Sequence, residues 1–269
     1  MATIPGSHFT ASASAISFPG GVNVVETTTG TGLPPAIPTD FNLEVFVGDP
    51  ANAPPIAPGY QGLAVLTPGG SSIELISGSY TVTDDGETLT AKGDNETVVG
   101  GAAFANLILD GNNDVANGGT NGGNYIEVNG TGDTVNAGAG QEVVNVNTAG
   151  NTIIGGTGPT TITAFGGDNF IQGGKGGDTI TAFGNNNTII GGANDLINAT
   201  GTGAEIFASG GDTVNVFSDG DTIGGLGGHE TIGAWSNNDL ILAGSGSPTI
   251  LLTGTGDTVV GGGTASIDA

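Results

Sequence analysis

From about residue 86 to residue 263, apolar residues recur roughly every nine positions between short polar turns. Val98, Ile108, Ala116, Ile126, Val135, Val143, Ile153, Ile162, Phe170 and Ile180 open the series. Ile189, Ile197, Ile206, Val214, Ile223, Ile232, Ile241, Ile250 and Val259 continue it. Between them lie turns such as GTGDT, AGNT, GGDN and GNNNT. β-Branched residues alternating with Gly, Asn and Asp predict short strands joined by corners. Successive units alternate in character. One series reads VVGG (98–101), IIGG (153–156), IIGG (189–192) and VVGG (259–262). The other reads ITAFG (162–166), ITAFG (180–184), VNVFS (214–218) and IGAWS (232–236). The full period is therefore about 18 residues, and each coil holds two strands on opposite sides. The pattern predicts an all-β fold, a parallel β-roll or β-solenoid of two-sided coils with a non-repeat N-terminal cap or arm. One coil cannot bury its own apolar face, so stability comes from the stack.

Three segments follow from this pattern. Residues 1–60 are rich in Pro, Thr and Ala and hold strand-like pieces such as Asn42 to Val47. Residues 61–263 form the solenoid, with IELISGSYTVTDDG (73–86) as a first, irregular coil, and 264–269 make a short tail. The first segment reads either as a cap over an open sheet edge or as an arm engaging a neighbouring subunit.

Composition sharpens the picture. Glycine accounts for 54 of 269 residues, which disfavours helices. Against 26 acidic residues stand only Lys92 and Lys175, for a formal net charge of −24. Nothing basic is available to track phosphates, so nucleic-acid binding is excluded, and an anionic membrane surface is disfavoured. An acidic chain repels itself unless counter-ions neutralise it, which points to divalent cations. There is no cysteine, hence no disulfide or thiolate site. The N-terminus lacks the basic and apolar regions of a cleaved signal, and no apolar run approaches the ~18 residues of a membrane span. Export, if it occurs, is expected by a route without such a signal.

Nonapeptides of the form GGxGxDxUx bind calcium through glycine-rich turns and an Asp oxygen. GGKGGDTIT (173–181) matches every position. On this motif the chain resembles the RTX, or haemolysin-type, calcium-binding repeat family over about residues 86–263, the other units being degenerate copies. The resemblance implies type I-like secretion, although the family's longer tail after the repeats is replaced here by GGGTASIDA. The motif's Asp falls two residues before the central apolar position. That slot holds Asp178, Asp195, Asp212 and Glu230 on one side of the stack. On the other it holds Asp114, Asp133, Asn151, Asp168, Asn187, Asp221, Asp239 and Asp257. The rows Asp178/Asp195/Asp212 and Asp221/Asp239/Asp257 are the foremost candidates for Ca2+. Asn in the slot suits hydrogen-bonded ladders instead, and Thr160, Ala204 and Pro248 supply no carboxylate.

Enzymatic chemistry finds little footing. His229-Glu230-Thr231-Ile232-Gly233 lacks the second His of HExxH, and no GxSxG is present. His8 and His229 are the only histidines, and no Arg accompanies the acids to hold a sugar. Three surface rows remain. Phe165, Phe183, Phe217 and Trp235 recur along one corner, as core packing or a carbohydrate platform. Val99, Ile154, Ile171, Ile190, Leu242 and Val260 form an outward apolar stripe, covered by 1–60 or by another copy. Thr161/Thr163, Thr179/Thr181, Thr213, Thr231 and Thr249 form outward rows of the kind found on ice-binding faces, broken at Leu196, Gly233 and Leu251. The expectation is an extracellular, non-enzymatic protein that self-associates into a filament, sheath or surface layer, with calcium neutralising its acidic corners. The alternative is a monomeric secreted adhesion module for carbohydrate or ice.

Overall fold

Alternation of apolar and polar residues turns each short strand into a two-faced ribbon. In Thr179–Ala182, Ile180 and Ala182 point inward and the two threonines outward; in Thr188–Ile190 only Ile189 points inward. The computed structural model describes residues 87–269, apart from 101–103, 121–122, 226 and 262. Before residue 87 it describes the strands Val22–Thr27, Phe41–Val47, Gly62–Thr67, Gly70–Leu75 and Ser79–Thr81, and positions 55 and 58. The remainder of the expected 1–60 cap or arm, and residues 76–78 and 82–86 of the first coil, lie outside the described residues. Two compact units divide the chain, Met1–Asp133 and Thr134–Ala269.

In the first unit, Val22–Thr27, Phe41–Val47 and Gly62–Thr67 pair in parallel. Gly62–Thr67 then pairs antiparallel with Gly70–Leu75, because two intervening residues can return a strand only as a hairpin. From there the coils run parallel, through Glu87–Ala91, Ala105–Leu109 and Tyr125–Val128 on a broad sheet. Ser79–Thr81, Thr97–Val99 and Val115–Asn117 form the narrow sheet of the same unit.

The second unit contains parallel coils alone. Its broad sheet runs from Glu142–Val146 to Ser266–Asp268, and its narrow sheet from Thr134–Asn136 to Thr258–Val260. Ser266–Asp268, in the expected tail, adds a strand to the stack. Ile162, Ile180, Ile197, Val214, Ile232 and Ile250 superpose across the broad sheet, each fully buried. The expected all-β parallel solenoid with coils of about 18 residues is therefore present in both units. Among the described residues no helix is long and apolar enough to cross a membrane.

The expected inward positions shift by one residue in three coils. Leu107, Val144 and Ile171 are fully buried, whereas Ile108 and Phe170 are half-buried and Val143 is 40% exposed. Each segment carries adjacent apolar residues, so its own pattern admits two registers. Pairing with neighbouring coils decides: Leu107 lies beside Ile126, Val144 beside Ile162, and Ile171 between Ile153 and Ile189. Gln172, not Ile171, thus occupies the outward stripe.

The register makes a direct prediction. Val143→Asp should change stability by no more than about 0.5 kcal/mol, as an exposed substitution. Val144→Asp should cost about 3 kcal/mol or more, by burying an unpaired charge. Urea melts of both variants measure the difference, and equal costs would contradict this register.

Candidate metal centre

Most corners turn through a residue in the left-handed region, and the next side chain points into the stack. In the first unit Asn95, Asn113 and Gly132 take φ of 64°, 57° and 74°, immediately before Glu96, Asp114 and Asp133. In the second unit Gly150, Asp168, Asn186, Gly203, Gly220, Asn238 and Gly256 do the same before 151, 169, 187, 204, 221, 239 and 257. At the opposite corner Gly177, Asn194 and Gly211 precede Asp178, Asp195 and Asp212. Only Gly, Asn and Asp occupy these positions, as the steric cost of a left-handed backbone for other residues requires.

The inward side chain joins one coil to the one before it. Asp114 Oδ1 accepts the Glu96 N–H at 2.7 Å and Asp133 Oδ1 the Asp114 N–H at 2.8 Å. In the second unit Asn169 and Asn187 accept from Asn151 and Asn169. Asp221, Asp239 and Asp257 accept from Ala204, Asp221 and Asp239 at 2.8–3.0 Å. At the opposite corner Asp178, Asp195 and Asp212 accept from Thr160, Asp178 and Asp195 at 2.6–2.9 Å. Eight of the nine sequence-predicted aspartates thus stand in these ladders. Asp168 does not. The one-residue shift at Ile171 puts Asn169 in its slot and leaves Asp168 exposed at the corner, accepting from Asn186 Nδ2 at 3.3 Å. Three buried corner acids that sequence reasoning left out of its metal set, Glu96, Glu142 and Glu230, are 1% exposed. Glu96 lies 18 residues before Asp114, so the coil period itself locates it.

What distinguishes Asn from Asp here is the second atom of the side chain. Asn169 Nδ2 donates to the carbonyls of Gly166 and Thr148 at 2.9 and 3.2 Å; Asn187 Nδ2 donates to Gly184 and Gly166 at 2.7 and 3.3 Å. Asp114 Oδ2 stands in the equivalent place beside Gly111. A Cβ on Gly111 would lie 2.9 Å from Asp114 Oδ2 and would collide with the Gly93 carbonyl oxygen. An acceptor there faces an acceptor. Asp114 Oδ2, Asp178 Oδ2, Asp221 Oδ2 and Glu230 Oε2 are all buried without a hydrogen-bond partner, and so are both Glu96 oxygens. Some corners resolve the conflict locally: Ser236 Oγ donates to Asp239 Oδ2 at 2.8 Å, Gly192 N–H to Asp195 Oδ2 at 2.5 Å, and Ser209 N–H to Asp212 Oδ2 at 2.7 Å.

Within GGKGGDTIT, the first glycine keeps a space open between two carboxylates. A Cβ on Gly173 would lie 2.5 Å from Asp195 Oδ2 and 3.2 Å from Asp178 Oδ2. Oxygens of adjacent coils therefore converge at Gly173, in the all-oxygen setting that hard cations prefer. Among the described residues no three carboxylate or histidine side chains converge as a metal-holding group. A cation at Gly173 would draw on Asp178, Asp195 and backbone carbonyls.

Burial governs the titration of these groups. It pushes the Glu96 carboxyl up to about 7, with the Asp114 charge adding to the effect. It raises Asp221 to about 7, and Asp133 and Asp178 to about 6, against the backbone N–H bonds that favour their charged forms. Asp114 and Asp212 move the same way for the same reason. No family model, curated protein or solved structure matches the chain. What stands is the parallel β-solenoid and the geometry of its corners.

Two predictions follow. These carboxyls bind protons more tightly folded than unfolded, so the stability they confer is fullest below the ordinary value of 3.8 and is lost as pH rises to about 7. Melting temperature in chelator should accordingly fall between pH 4 and pH 7; a rise across that window would contradict the burial argument. Second, Asp114→Asn supplies the amide donor that Asn169 and Asn187 already carry. It should stabilise the chelated protein at pH 8 by about 1–3 kcal/mol and have little effect near pH 4, as urea melts at both pH values will register.

Proposed function

We propose that the chain is a non-enzymatic structural solenoid that self-associates outside the cell, with calcium stabilising its acidic corners. The observation that carries this reading is the pair Asp178 and Asp195 converging on Gly173, with Asp178 Oδ2 buried and unpartnered. Burying such an oxygen beside further acceptors costs stability unless a proton or a cation joins it. Near neutral pH the proton is leaving, and a divalent cation takes over its role. Dissociation constants of about 10⁻⁴–10⁻³ M, typical of extracellular calcium modules, would suffice outside a cell. The RTX-like motif at 173–181 supports the same ion.

Self-association is supported by the outer face of the narrow sheet. In the second unit Ile154, Ile190 and Phe207 are half-exposed there, and Leu242 and Val260 are 42% and 53% exposed, interrupted by Gln172 and Gly224. Apolar stripes of this kind on an otherwise charged protein serve as contact surfaces. Charge opposes association at −24, so neutralising the corners both stiffens the coils and lowers the repulsion between copies.

Light-scattering mass in chelator, then in millimolar calcium, tests this. Mass should climb well beyond 25.9 kDa on adding calcium. Gly173→Ala, which fills the space between Asp178 and Asp195, should weaken the response. A particle that stays monomeric in both conditions would overturn self-assembly.

A further inference from the structure

The protein's one tryptophan does not take part in core packing. Trp235 is the outward residue that follows the strand Thr231–Ala234, and it is 41% exposed. Its indole folds back over Gly233. A Cβ on Gly233 would lie 2.8 Å from Nε1 and 2.9 Å from both Cε2 and Cζ2. Three consecutive ring atoms at nearly equal distance place the face of the indole, rather than its edge, against the sheet. The opposite face is therefore presented outward. Gly233 is what permits this: a side chain there, like Asn215 or Leu251 in the flanking coils, would lift the ring off the strand.

Two other aromatic residues of that corner are arranged differently. Phe165 and Phe183 stack on one another, with centroids 5.3 Å apart and planes 6° from parallel, so each uses a face on its neighbour. The Trp235 ring lies over Gly233 instead. On the side of the preceding coil the outer face of the broad sheet is polar and neutral, and on the other side Leu251 lies beside Gly233. Asn215 sits one coil away beside Gly233, with one amide N–H given to Asn198 Oδ1 at 3.0 Å. Its carbonyl oxygen and second N–H remain for a ligand. Thr213, Thr231 and Thr249 form a column two residues, or roughly 7 Å, along the strands from Asn215, Gly233 and Leu251. Phe217, 51% exposed, extends the apolar ledge by one coil.

We infer that this surface binds a neutral polysaccharide, with a pyranose ring stacked on the Trp235 indole and its hydroxyls held by Asn215 and Thr231. A sugar ring has an apolar C–H face to lay on an aromatic face and a rim of hydroxyls to exchange hydrogen bonds with amides and threonines. Charge selects within the class. At −24 the protein repels uronic-acid and sulfated chains, and the uncharged Asn215 and Thr231 beside the indole suit a neutral glycan. The inference stands independently of calcium and of self-association, since neither Asn215, Thr231 nor Trp235 belongs to the ladders.

A single tryptophan makes the test direct, because its emission reports this site alone. The probes are cellohexaose, chitohexaose, mannohexaose and laminarihexaose by fluorescence titration, and hydroxyethylcellulose, glycol chitin, mannan and laminarin by affinity electrophoresis. At least one should give a saturable emission change and retarded migration. Trp235→Ala should weaken retardation about tenfold or more, and Gly233→Val should do so while keeping the indole. Phe165→Ala serves as control and should bind as the parent does. No response to any probe, or retardation unchanged in Trp235→Ala, would overturn the inference. A blue shift that depends on protein concentration without sugar would also overturn it, by showing that a second copy covers the indole.

Discussion

A carboxylate buried at a corner has two oxygens and only one obvious donor. In this protein Oδ1 is satisfied by the N–H of the preceding coil, and the fold depends on that bond repeating along the stack. The second oxygen is the unresolved half of the arrangement. Where Asn occupies the position, its amide closes the corner by donating to two backbone carbonyls. Where Asp occupies it, a proton, a nearby hydroxyl or N–H, or a cation must do the same work. With two lysines in the chain, basic side chains are too few to fill these corners.

This constraint ties stability to the surroundings. The apolar columns hold the sheets together by burial, which is indifferent to pH and ions. The acid ladders are not, since their charged form faces desolvation and neighbouring carboxylates. A chain with Asn at every corner would be a plain solenoid. Alternating blocks of Asn and Asp instead give a solenoid whose stability follows pH and, under the proposed function, divalent ions. The same blocks explain why a degenerate repeat still stacks: Asn151, Asn169 and Asn187 keep the ladder bond while needing no ion.

Much of this was legible in the sequence. The 18-residue period, the two strand types and the inward acid two residues before each central residue all follow from spacing. The left-handed corner explains why Gly, Asn and Asp alternate there. The failures share one cause. At NLILD, EVVNV and DNFIQ, adjacent apolar residues allow two registers, and only pairing with neighbouring coils selects Leu107, Val144 and Ile171. Asp168 was misplaced by that slip. The second side-chain atom at each corner, the space at Gly173 and the flat indole over Gly233 were invisible, because they arise between coils or from a side chain folding back. Spacing places residues in rows, but it does not say which of two oxygens finds a donor.

Carboxyl-carbon NMR, followed as a function of pH in chelator and again in calcium, tests the central claim most directly. A subset of aspartate and glutamate resonances should show midpoints near 6 to 7 in chelator and leave that range when calcium is present. If every carboxyl titrated within its ordinary range in chelator, the second oxygens would not be buried and unpartnered. The corner ladders would then carry no proton- or cation-dependent role.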